Sequence, residues 1–218
     1  MPRLDDLRFC GDIAVVRWKL TESWQELLES CAGIGVKVDA DKLPKAEGRR
    51  CEMLAELLML AGHFGRPTAL EHDRHGAPRV TQFGGYVSIS HTRGLVMMAF
   101  SDNEPVGIDV ERISERVMRV RGRFVGDTEA QHIVADDVAA NTLVWTAKEA
   151  MYKLAGVPGA SLRDDFSIDS AMRAGADGRL HAEAHCMAGG RRQAIELCSM
   201  LDAEEQVAFT MALFAVNR

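Results

Sequence analysis

An amphipathic stretch followed by short apolar strands occurs twice in this 218-residue chain, and that repeated order limits the fold more than any other feature. In the first half, LPKAEGRRCEMLAELLMLAG (43–62) opens polar and then sets Met53, Leu54, Leu57, Leu58 and Ala61 at helical spacing. This predicts one amphipathic helix, closed by Gly62. CGDIAVVRW (10–18) reads as a buried strand before it, and YVSISH, LVMMAF and VGIDVER follow as strands parted by turn or polar residues. In the second half, 119–134 and 141–156 read as helices, the latter ended by Gly156 and Pro158. DGRLHAEAHCM, RRQAIELCSM and EQVAFTMALFAV then read as strands. Helix plus antiparallel strands, twice over, makes an α+β chain with halves expected at 1–104 and 105–218. The two halves are expected to pack as one compact unit with the site between them. Residue identity between the halves is too low to show a duplication directly.

Composition removes several classes of function. With 47% hydrophobic and 27% charged residues the chain is globular rather than disordered. A formal net charge of −6 argues against general nucleic-acid affinity, which needs a basic footprint. No run approaches the roughly 18 apolar residues of a membrane span, and MPRLDDLRF has no signal-peptide core, so a cytoplasmic protein without membrane attachment is expected. Cys10, Cys31, Cys51, Cys186 and Cys198 contain no C-x-x-C pair and read as reduced, structural thiols. His181 and His185 would share a strand face, but no third ligand is evident and no metal is assigned to them.

VGIDVERI (106–113) poses the chemical question. In a strand, Gly107, Asp109 and Glu111 face one way and Val106, Ile108 and Val110 the other, so the acidic face is either chemical or merely wet. Two carboxylates about 7 Å apart on one face repel unless a cation lies between them, and both are oxygen donors of the kind Mg²⁺ prefers. Gly107 on that face would leave room for a ligand near the backbone. The cation reading requires a further acid. WTAKEAMYKLAG (145–156) offers Glu149, four residues before Lys153, a spacing that alone signals only a surface ion pair. On that helix Val144, Ala147, Met151 and Leu154 form the apolar stripe.

Together, VGIDVER and WTAKEAMYK resemble the two signatures of the 4′-phosphopantetheinyl transferase superfamily, a G-x-D-x-E strand and a W-[S/T]-x-K-E-A-x-x-K helix. Gly107, Asp109, Glu111, Trp145, Thr146, Lys148, Glu149, Ala150 and Lys153 all fit. SISHT (88–92) is similar to the family's N-[I/L]-S-H-[S/T] stretch, and RFVGDTE (123–129) to its R-F-F-x-x-x-E segment. A full helix-and-strand unit precedes the motifs, so the chain looks like the two-halved, surfactin-synthetase-activating type. It departs from the pattern at Ala77, where the family often has Lys in G-K-P, and at Ser88, where Asn is usual.

The resemblance implies a 4′-phosphopantetheinyl transferase fold of pseudo-duplicated units. It further implies Mg²⁺-dependent transfer of 4′-phosphopantetheine from coenzyme A to a serine of an apo acyl or peptidyl carrier protein, with Mn²⁺ as the alternative ion; the apparent duplication, each half covering the other, makes a monomer the expectation. It puts Asp109, Glu111 and Glu149 on the metal and makes Glu149 and Lys153 catalytic. It sets Arg50 (or Arg49), Ser90, His91, Asp109, Lys148 and Lys153 on the coenzyme, with Arg74 or Arg79 standing in for the missing Lys. Trp145 is expected to pack its helix on the sheet. The run of Arg112, Arg116, Arg119, Arg121 and Arg123 is either a solvated helix face or a docking site for an acidic carrier, with Arg116, Arg119 and Arg123 its contacts. A Mg²⁺-dependent phosphoesterase and a non-catalytic carrier-binding protein are the competing readings.

Overall fold

The computed structural model describes residues 5–8, 13–80, 83–187 and 190–215. It divides into two compact units, Met1–Asp102 and Asn103–Arg218. In the first, β1 (Asp5–Arg8) and β2 (Ala14–Lys19) precede α1 (Trp24–Gly33) and α2 (Glu47–Phe64). A short ribbon of β3 (Leu70–His72) and β4 (Pro78–Val80) follows, then β5 (Tyr86–Thr92) and β6 (Leu95–Ser101). The main sheet is antiparallel in the order β1-β2-β6-β5. α1 starts where Ser23 and Glu26 form a reciprocal capping box. α2 lays Leu54, Ala55 and Leu58 into a core shared with Val16, Trp18, Val96, Met98 and Phe100.

Two expectations for this unit are corrected. α2 does not stop at Gly62 but runs to Phe64, and Gly65, at φ 64°, makes the left-handed cap. A glycine inside a helix costs only about 1 kcal/mol. The extra turn stacks His63 on Phe100 at 3.8 Å and sets Phe64 edge-on to the same ring, which offsets that cost. The strand expected from Cys10 begins at Ala14, and residues 9–12 lie outside the described residues.

The second unit begins with β7 (Val106–Arg112), the short helices α3 (Arg116–Val120) and α4 (Asp127–Ala130), and the long α5 (Val138–Ala155). Its remaining strands are β8 (Phe166–Ile168), β9 (Arg173–Ala174), β10 (Leu180–Cys186), β11 (Gln193–Asp202) and β12 (Val207–Phe214). They form a sheet in the order β7-β12-β11-β10-β8, with β9 beside β10. The stretch 119–134 is not one helix: a 3₁₀ turn at Arg121–Arg123 and the irregular residues Val125 and Gly126 interrupt it. α5 starts before Asn141, because the Asp137 carboxylate caps the N–H of Ala140, and it ends at Gly156 (φ 60°) as expected. Val144, Ala147, Met151 and Leu154 are all buried in the second core, as their spacing requires.

Each unit thus sets one 18-residue helix against an antiparallel sheet, an α+β arrangement. Cys31, Cys51, Cys186 and Cys198 are buried and outside any disulfide; Cys10 is outside the described residues. Among the described residues no helix is long and apolar enough to cross a membrane.

Candidate active site

The centre of the second unit is the seam between β7 and α5. β12 pairs with β7 so that Ala212, Thr210 and Ala208 stand opposite Gly107, Asp109 and Glu111. Small side chains there let the helix come close. A Cβ on Gly107 would lie 2.0 Å from the Ala150 carbonyl oxygen and 2.7 Å from the Leu154 nitrogen. The space beside Gly107 therefore belongs to α5 rather than to a ligand, which corrects the sequence reading. A buried hydroxyl chain fixes the helix rotation: the Thr146 and Thr210 hydroxyls are 2.9 Å apart, those of Ser199 and Thr210 also 2.9 Å, and Thr146 donates to Leu143 O. This seating turns the Glu149 and Lys153 side of α5 toward Asp109.

Lys153 Nζ donates to Asp109 Oδ1 at 2.8 Å and to Ile108 O at 3.0 Å. Asp109 is buried and Glu149 half-buried. Burial pushes the Glu149 carboxyl above its usual range, the negative charge of Asp109 adds to this, and the Lys153 ammonium opposes it. Glu111 Oε1 accepts the N–H of Arg112 at 2.8 Å. Three carboxylates against one ammonium leave an excess of negative charge among oxygen-only donors, the chemistry that suits a hard divalent cation. Their ligand atoms do not all come within 4.8 Å of one another.

Lys148 corrects the sequence reading most. Its side chain is fully buried, with Nζ 2.7 Å from Glu129 Oε1 and donating to Phe166 O at 2.5 Å. Glu129 also accepts the N–H groups of Ile168 and Gly126, both at 2.8 Å. Burial would raise the Glu129 carboxyl, but Lys148 and these donors outweigh it and hold the group below its usual range. The two charges of the KEA and RFVGDTE motifs thus lock α5, α4 and β8 together, and Lys148 is not available to a coenzyme phosphate. Trp145 packs edge-on against Phe124 at 5.2 Å and lies against the core that the sheet shares with α5.

In the first unit Arg49 and Arg50 make different contacts. Arg50 donates to Pro44 O at 2.6 Å and covers the Trp24 ring at 4.9 Å. Arg49 Nη1 instead meets Glu52 and Glu56, each at 3.1 Å, and His91 Nε2 at 3.0 Å. His91 Nδ1 lies 3.5 Å from Glu52. Glu56 is buried, and burial raises its carboxyl against the pull of Arg49 and His91. The spacing 49, 52, 56 on one helix face is the signal that marks this cluster in the sequence. Ser90 is buried and points to the opposite face of β5 from His91, so the two do not share a surface. Arg79 pairs with Asp73 at 3.6 Å, and Arg74 donates to His75.

The arginine run is divided. Arg112 donates to Glu205 O and Arg121 to Asn141 Oδ1, each inside the fold. Arg116, Arg119 and Arg123 are exposed and make no ion pair with the described residues.

Residues 105–210 match the sequence model of the 4′-phosphopantetheinyl transferase superfamily. The chain is 34% identical over 88 residues to 4′-phosphopantetheinyl transferase Sfp of Bacillus subtilis (strain 168), covering 38% of each chain. It is 37% identical over 90 residues to 4′-phosphopantetheinyl transferase gsp of Aneurinibacillus migulanus, covering 38% of this chain and 36% of the relative. The match thus spans less than two fifths of the length of either relative.

Proposed function

We propose that this protein transfers the 4′-phosphopantetheine group of coenzyme A to a serine hydroxyl of an apo acyl or peptidyl carrier protein, releasing adenosine 3′,5′-bisphosphate. The observation that carries this reading is the Asp109, Glu149 and Lys153 cluster, lying within the segment that matches the superfamily. Asp109, Glu111 and Glu149 would hold Mg²⁺, and Mn²⁺ suits the same oxygen donors. Bound there, the ion would neutralise the pyrophosphate and orient it for attack. Glu149, whose raised proton affinity brings it closer to neutrality, takes the serine proton as the hydroxyl oxygen bonds to the pantetheine-bearing phosphorus. The bond from that phosphorus to the bridging oxygen breaks, and the Lys153 ammonium steadies the charge left on the departing phosphate.

Arg49 and His91 bind a phosphate of the coenzyme, with Glu52 and Glu56 holding them in place. The exposed Arg116, Arg119 and Arg123 receive the acidic surface of the carrier. The enzyme works as a cytoplasmic monomer.

Chromatographic measurement of adenosine 3′,5′-bisphosphate, with and without apo carrier, tests the reading. Release that needs both apo carrier and Mg²⁺ and is lost in Asp109→Ala supports it. Release without any carrier would make the protein a phosphoesterase, and no release with any of several carriers would leave only carrier binding.

A further inference from the structure

The antiparallel register of β10 and β11 sets His181 directly opposite Cys198. The turn leading into β10 brings Asp177 onto the same imidazole, with His181 Nε2 3.0 Å from Oδ1 and 3.1 Å from Oδ2. One ligand atom from each of the three residues lies within 4.8 Å of the other two. Among the described residues this is the one group of three His, Cys or acidic side chains gathered so closely. Leu197 and Ser199 face the α5 side, so Cys198 and His181 point to the other face of the sheet, and β12 separates their strands from β7.

We propose that Asp177, His181 and Cys198 form a binding site for a divalent transition metal, best filled by Zn²⁺, with water as the fourth ligand. One imidazole nitrogen, one thiolate and one carboxylate make a mixed set that suits zinc, whereas a thiolate excludes Mg²⁺ and Ca²⁺ as natural occupants. Tetrahedral zinc with these ligands needs donor atoms roughly 3.3–3.7 Å apart. Closing the trio around an ion therefore takes small side-chain movements and no shift of the strands. Burial is graded as entry from solvent requires: Cys198 is buried, whereas the side chains of His181 and Asp177 are 40% and 37% exposed.

Two further features shape the place. A Cβ on Gly175 would lie 2.7 Å from His181 Cδ2 and 2.8 Å from Asp177 Oδ1, so the glycine keeps that wall of the cluster open. The turn is closed by Gly175 N–H to Arg179 O at 2.7 Å, and the Arg179 N–H holds Asp177 Oδ1 at 3.1 Å. The Arg179 guanidinium, 3.6 Å from Oδ2, is the cation that an incoming metal must outcompete. Loading would tie the β9–β10 turn to β11 and mask the Cys198 thiol.

The test uses the full chain, stripped with a chelator and titrated with Co²⁺ and then Zn²⁺. The expected result is one equivalent of Co²⁺ giving tetrahedral visible bands and a thiolate charge-transfer band, both abolished when Zn²⁺ displaces it. Cys198→Ser should lose the charge-transfer band, and His181→Asn and Asp177→Asn should each bind at least about tenfold more weakly. Asp109→Asn should bind one equivalent as the wild type does, since the two sites are separate. If Cys198→Ser fails to fold, the two half-exposed positions decide the matter. No stoichiometric binding, or binding unchanged in both His181→Asn and Asp177→Asn, would overturn the proposal.

Discussion

Replacing Gly107 by Ala should disable the protein by moving a helix rather than by removing a reactive group. The new Cβ would sit 2.0 Å from Ala150 O, and ordinary contact begins at 3.4 Å, so α5 must retreat by about 1.4 Å at that point. Backbone is what the methyl strikes, and no rotamer change relieves it. Overpacking of this kind costs about 1–3 kcal/mol. The loss of unfolded-chain freedom on Gly→Ala offsets about 0.4–1 kcal/mol of that, so a net loss remains. The same retreat carries Lys153 away from Asp109 and takes their 2.8 Å contact out of hydrogen-bond range. A misplacement of about 1 Å costs roughly a hundredfold in rate. The assays are urea denaturation and steady-state modification of an apo carrier, run on the same preparations. A variant with stability within about 0.5 kcal/mol of wild type and undiminished turnover would refute the claim that Gly107 exists to seat α5.

Other consequences are as direct. Glu129→Gln and Lys148→Met should each cost about 3–5 kcal/mol in urea denaturation by stranding a buried charge, and the double variant should recover part of the loss; additive losses would contradict the pairing. The raised carboxyl of Glu149 favours the folded state fully below the unfolded value of about 4.3, and that contribution is lost as pH rises through the folded value. In EDTA, Glu149→Gln should therefore melt increasingly above wild type as pH rises toward neutrality in calorimetry, with Mg²⁺ narrowing the gap; a gap independent of pH would refute this. Arg49→Ala should raise the KM for coenzyme A more than Arg50→Ala does, and the reverse order would restore Arg50. Arg119→Glu should raise the KM for carrier more than that for coenzyme A, and equal effects would remove the arginines from docking.

The α+β order and the carboxylate-bearing elements were legible because they depend on local pattern: period two around Asp109, and period 3.6 through Val144 to Leu154. What sequence could not supply was the partner of each charge. Lys148 and Glu149 are chain neighbours, yet helical geometry sends one into the core against Glu129 and the other toward Asp109. Gly107 reads as room for a ligand until the helix that fills the space is in place. Arg49 and Arg50 differ by one helical step, which is enough to put one on His91 and the other on Trp24. Helix ends shifted where tertiary contacts outweighed a local stop, as the aromatic packing of His63 and Phe64 shows beyond Gly62. His181 lacked a third ligand in the sequence because Cys198 reaches it through strand register, across the β10–β11 connection.

The most direct test of the central claim is the intact mass of an apo carrier protein after incubation with this protein, coenzyme A and Mg²⁺, beside the same mixture in EDTA. The account predicts a single phosphopantetheine added to the carrier with Mg²⁺ and none in EDTA. An unchanged carrier mass across acyl and peptidyl carriers, under conditions where a known transferase modifies them, would contradict it.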